Sequence, residues 1–189
     1  METFNWQALE EQLFARSREA ILRFAREYPE ARCSFFAYDA NPIYGEFLVS
    51  FETAEHSLQQ AQENEQEAIK RRNQMLALPE AWRGATHFST YPAVTEYSPD
   101  VGLFAHHMYD PIKVDELDEL SASGAYPKGL ETDDDYIEGN ARIVLWKVIE
   151  RLIASDAFSA LALASPFRVG YQYHDDELIV LRILNWPHP

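Results

Sequence analysis

The sequence of 189 residues predicts an α+β domain, with helices packed on a mostly antiparallel sheet. Three observations carry that prediction. Three long stretches repeat apolar residues at helical spacing. The strand-like stretches come in two close pairs joined by turn residues. The order (helix, two strands, helix, mixed region, helix, strands) lacks the regular alternation of strand and helix that builds a parallel sheet. The length suits one domain, 1–189, and is ample for a hydrophobic core.

Residues 4–28 place Trp6, Leu9, Leu13, Ile21, Phe24 and Tyr28 on one helical face, with charges between them, and Pro29 helps end the helix. Arg32–Tyr38 is rich in aromatics and suits a buried strand. Asp39-Ala40-Asn41-Pro42 reads as a turn. In Ile43–Phe51, Ile43, Phe47, Val49 and Phe51 share one face at period two, so a β-hairpin is predicted, its register unsettled around Gly45. A second helix is predicted over 53–78, with Thr53 as N-cap and Glu55 in the first turn. Its narrow stripe of Ala54, Leu58, Ala61, Ala68, Ile69 and Met75 predicts a surface helix with one face on the sheet.

Five prolines punctuate residues 79–130. Thr86–Tyr91 and Val101–His107 read as short strands, Lys113–Leu120 as a short acidic helix and Ser121–Thr132 as a loop. Residues 134–155 carry a wide apolar face from Ile137 to Ile153, which predicts a core helix with Asp133 to Asp135 at its amino end. A capping carboxylate there is worth about 0.5–2 kcal/mol. The last third turns to β. Phe158–Ser165 is short and apolar, Val169, Tyr171 and Tyr173 alternate, Asp175-Asp176 makes a turn, and Leu178–Leu184 is apolar on both faces. A second hairpin follows, with that last strand expected in the centre of the sheet.

Apolar residues make up 47% of the chain, too many for a disordered protein and too few for a membrane protein. The single cysteine, Cys33, excludes an internal disulfide and a multi-cysteine zinc site. The start, Met1 to Trp6, has neither a basic beginning nor an apolar run, so no signal peptide is expected. No apolar stretch is long enough to span a membrane, and the expected compartment is the cytoplasm.

The net charge is −15. That opposes binding to nucleic acid or to anionic membranes, both of which require an excess of Lys and Arg, and it favours a basic protein partner. About half of the excess falls in an irregular acidic segment at about 110–138, with ten acids and two bases. A block of this kind is a solvated linker or an interaction surface. Aromatics, among them Trp82, Phe88, Tyr91, Tyr97, Phe104 and Tyr109, crowd the residues before it. They pack as a core under a loop, or they anchor a partner beside an acidic rim.

Catalytic signatures are weak. Adjacent His106 and His107 point in different directions on any regular element, so a metal site with His87 and nearby acids is the lesser reading. His174 to Glu177 reads as a polar turn. Asp133 to Asp135 with Glu138 lacks the ligand spacing of a calcium loop. Cys33 lies in an apolar strand and is expected to be inert. Neither a phosphate-binding glycine loop, a serine elbow nor an HExxH run occurs. No catalytic residue, metal or cofactor is predicted.

The layout, with Ser34-Phe35-Phe36-Ala37-Tyr38 in the first strand and Thr53-Ala54-Glu55-His56-Ser57-Leu58 opening the second helix, resembles bacterial families that include immunity-type proteins of contact-dependent toxin systems. The likeness covers most of the chain as an order of elements, and only those two segments locally. It implies a small cytoplasmic protein that binds and neutralises a toxin, and it brings no catalytic residues with it. The expected contact residues are Asp110, Asp115, Glu116, Asp118, Glu119, Glu131, Asp133 and Asp134, with Tyr97, Phe104 and Tyr109. The alternatives are an acidic adaptor or complex subunit, and an enzyme using the region of His87, His106 and His107.

Overall fold

In a computed structural model, which describes residues 4–77, 100–123, 133–174 and 176–185, the first helix begins where Asn5 caps it, accepting the Ala8 N–H at 3.0 Å. This helix, α1 (Trp6–Glu27), buries Leu9, Leu13, Ser17, Ala20, Ile21 and Phe24, the stripe its spacing predicts. Strand β1 (Cys33–Asn41) pairs antiparallel with β2 (Glu46–Thr53), so the first hairpin forms as expected. Its turn lies further along than expected. Asp39 and Ala40 still pair with Leu48 and Phe47, and the reversal is a 3-10 turn, Pro42–Tyr44, closed by Gly45 at φ 64°. Ile43 therefore belongs to the turn, while Phe47, Val49 and Phe51 do share the core face.

Helix α2 (Ala54–Leu76) starts at Thr53, whose Oγ1 accepts the His56 N–H at 3.3 Å. Its apolar stripe is not laid along the sheet. Ser57 and Ala61 are buried, but Leu58 and Ile69 are more than half exposed among the described residues. The helix leaves the sheet after its first turns.

A 3-10 turn, Val101–Leu103, precedes β3 (His106–Lys113), so the strand expected over Val101–His107 is shifted towards the carboxyl end. Helix α3 (Asp115–Ser123) and helix α4 (Asp133–Ala154) follow. Residues 110–123 are thus a strand and a helix rather than an irregular segment, because Ile112, Val114 and Leu117 are buried in the core. A 3-10 turn, Ala157–Ala160, leads to β4 (Leu163–Tyr173), which pairs antiparallel with β5 (Ile179–Leu184). The strand expected over Thr86–Tyr91 and most of the loop expected over Ser121–Thr132 lie outside the described residues.

The sheet order is β3-β2-β1-β4-β5, with one parallel pair, β1 and β4, and three antiparallel ones. Helices α1 and α4 cover one face. There Phe24 stacks on Phe51 at 4.2 Å, and Phe36, Tyr38, Val49, Phe167 and Val169 meet Leu145, Val148 and Leu152. On the other face Phe35 and Ala37 pack with Val101 and Phe104. The chain is a single α+β domain. Strand β5 sits at the sheet's edge, not at its centre. A register shift between Val169 and Gly170 sends Val180 to one core and Leu181 and Leu184 to the other, which explains its apolar pattern on both faces. No helix among the described residues is long and apolar enough to cross a membrane.

Candidate functional site

Strands β1 and β3 are both antiparallel to β2, and β4 is parallel to β1. The carboxyl ends of β1, β3 and β4 therefore lie at one end of the sheet. The Pro42–Gly45 turn, α3 and the β4–β5 connection all spring from that end, and α3 brings Asp115, Glu116, Asp118 and Glu119 to it.

Helix α3 is held there by its apolar side. Leu117 is buried, and the Val114 N–H donates to the Gly45 carbonyl at 2.8 Å. A helix pinned on that side turns Asp115, Glu116, Asp118 and Glu119 to solvent. Asp115, Glu116 and Asp118 occupy the first turn, where the helix dipole favours negative charge. Lys113 is the neighbouring cation. Its Nζ lies 3.5 Å from Glu46 and 4.0 Å from Asp118. Among the described residues Asp115, Glu116 and Glu119 have no ion-pair partner. Between α3 and the start of α1 runs a groove of about 560 Å³, its floor made by Phe4, Leu9, Val114 and Leu120 and its rim by Glu116 and Glu119.

Two expected contact residues, Asp110 and Phe104, are in the interior instead, and a third, Tyr109, is half-buried. Asp110 is 4% exposed, and its carboxylate lies 3.1 Å from Arg16 and 2.8 Å from Arg23. The alternation of β3 points it under α1, so its charge is matched inside the fold. Tyr109 donates to Glu27 at 2.6 Å and lies beneath the Arg23 guanidinium. Phe104 packs on Phe35 with 5.3 Å between ring centres. Asp133 and Asp134 open α4, but their side chains, like Tyr97, His87 and Glu131, lie outside what is described.

His106 and His107 point to opposite faces. His106 packs against Phe24 and Tyr28, where burial holds its pKa below the usual value. His107 Nε2 meets Asp39 Oδ2 at 2.9 Å on the other face. No group of three ligands able to hold a metal occurs among the described residues.

The pair Asp39 and His107 opens onto a polar pocket of about 490 Å³, also lined by Asp100, Gln172, Asp176 and Glu177. Gln172 builds its wall, accepting the Val101 N–H at 2.7 Å and donating to the Asp176 carbonyl at 2.8 Å. Asp39, Glu46, Asp176 and Glu177 join the acidic end although none falls in the acidic block. In the sequence Asp39 falls in a predicted turn, Glu46 inside a predicted strand, and Asp176 and Glu177 in the polar run after His174, so nothing there groups them.

Towards the opposite end of the sheet, Glu52 is fully buried and ties three elements together. Its carboxylate accepts the N–H groups of Thr53 at 2.7 Å and Ala105 at 3.3 Å, and lies 3.0 Å from His56 Nδ1. Desolvation raises its pKa above 4.5, against the pull of the Thr53 N–H. A carboxyl group that binds its proton more tightly when folded stabilises the fold at low pH, and that contribution is lost as pH rises through the folded value. The unfolding free energy of the native chain relative to Glu52→Gln should therefore fall as pH rises above 4.5. Urea midpoints of both proteins at pH 4, 5, 6 and 7 test this, and parallel curves would refute it. Glu11 and Glu55, whose pKa values are lowered, titrate alike in both proteins and cancel.

The fold and this site define a class of protein: a single α+β domain with an acidic sheet end and an apolar groove beside it. No family model matches the chain, and no match is found among curated proteins or among solved structures.

Proposed function

We propose that the chain is a non-enzymatic binding protein of the immunity type, working in the cytoplasm, which captures and neutralises a basic toxin through the acidic end of its sheet. The observation that carries this reading is the gathering of exposed carboxylates from β2, α3 and the β4–β5 connection at one end, beside an apolar groove. Apolar floor and acidic rim together suit a partner that inserts an apolar side chain and surrounds it with Lys and Arg. The charge steers encounter, and the groove slows release.

The test has two arms. Affinity capture from the native host, at low and at high salt, should retain one basic protein that is released as salt rises, because exposed pairs are screened. Making that protein alone should stop growth, and making this chain with it should restore growth. Neutralising Asp115, Glu116, Asp118 and Glu119 together to Asn or Gln should weaken the complex about tenfold to a hundredfold, given some 0.2–1 kcal/mol for each exposed charge. Unchanged affinity at low salt would remove α3 from the interface. A captured partner that is harmless when made alone would make the chain an adaptor.

A further inference from the structure

The two edges of the sheet differ. Strand β3 is protected against pairing with another chain. Pro111 has no N–H to give, Met108 at φ 54° breaks the ladder to β2 between Val49 and Phe51, and Asp110 turns a charge inward. These are the devices that blunt an edge strand. Strand β5 has a register shift against β4, between Val169 and Gly170, but no proline. Five of its six residues are Ile, Val or Leu, and its one charge, Arg182, is held by Glu150 at 2.7 Å. Ile179 and Ile183 are 39% and 58% exposed. Among the described residues its outer edge pairs with no strand.

We propose that β5 is a docking edge, which takes an extended segment of a basic partner as a sixth, outer strand. The inference rests on the reading of this chain as a binder of basic protein, and it names the form in which part of that partner is bound. Charge decides between a partner and a second copy. Strand β5 begins directly after Asp176 and Glu177, which with Asp39 and Asp100 line the polar pocket at that end. Two copies of a chain of net charge −15 repel each other, whereas a basic segment is attracted. A segment alternating apolar and basic residues would set its apolar side on Ile179, which shares a face with Tyr171, and its cations towards Asp176 and Glu177. Its backbone would supply the hydrogen bonds that the outer edge lacks.

The probe is a synthetic seven-residue peptide of alternating lysine and valine. Its control has the same sequence with alternate backbone nitrogens methylated, which keeps charge and side chains but removes the donors of one edge. The full chain should bind the first peptide at least about tenfold more tightly than the second, since some three hydrogen bonds are lost. Amide exchange over 179–184 should slow in the complex. Equal affinity for the two peptides would overturn the proposal. So would slowed exchange confined to α3, which would leave the acidic surface as the binding site and remove the strand. Absence of binding at millimolar peptide would also overturn it, while capture of a toxin through α3 would stand or fall by its own experiment.

Discussion

Replacing Asp110 with alanine should lower the unfolding free energy by about 3 kcal/mol, the range in which removing one partner of a buried ion pair falls. The carboxylate is only 6% exposed at its side chain and holds two guanidinium groups of α1, Arg16 and Arg23. With the Tyr109–Glu27 hydrogen bond it makes the polar contact between α1 and β3, where Phe24, Phe51 and Tyr109 lie in mutual edge and stacked contact. The arginines are themselves partly exposed, so water recovers some of their loss, which keeps the effect below the largest known. Asp110→Asn keeps the shape and one acceptor and should cost less than half as much. Urea unfolding followed by tryptophan fluorescence measures both variants. A change under about 0.5 kcal/mol for the alanine variant, the scatter of ordinary surface substitutions, would mean that Asp110 is dispensable to the fold.

Gly45→Ala should be comparably damaging, about 2–4 kcal/mol, for two separable reasons. A residue with a Cβ pays for φ 64° with about 1–2 kcal/mol. The added Cβ would also stand 2.2 Å from the Val114 carbonyl oxygen, which is backbone and has little freedom to yield. Relief requires moving Val114 away from Gly45, and with it the root of α3 and the acidic surface. Amide exchange in α3 should therefore quicken more than in β1. Gly45→Asn separates the causes, because Asn tolerates the left-handed region but brings the same Cβ. If Asn restores stability, the dihedral dominates, and if it is as harmful as Ala, the close approach does. An alanine variant as stable as the parent, with α3 exchange unchanged, would refute the account.

The helices were legible because burial repeats along them. Leu9, Leu13, Ile21 and Phe24 mark α1, and Ile137 to Ile153 mark α4, whose predicted bounds differ by one residue at each end. The first hairpin was legible from Phe47, Val49 and Phe51, but its turn was not. Asp39-Ala40-Asn41 carries turn residues, yet Ala40 enters the core and Asp39 finds His107, so the strand runs on to Asn41. Helix α2 misled in the opposite sense, since a stripe of Leu58 and Ile69 does not say how far a sheet extends beneath it. At the candidate site, the exposure of Asp115, Glu116, Asp118 and Glu119 followed from their density. The burial of Asp110 did not, because composition counts a charge without showing whether two arginines ninety residues earlier meet it.

What the sequence determined by itself is local: periodicity chose helix or strand, Thr53 chose a helix start, and the charge count set the sign of the surface. Tertiary structure decided everything that depends on residues distant in sequence. It placed β5 at an edge, because the pairing of β1 with β4 leaves β5 last in the sheet. It also drew Asp39, Glu46, Asp176 and Glu177 to the end where α3 sits. Local forces act within a few residues of the chain, and the direction of a strand relative to its neighbours is settled only when they pair.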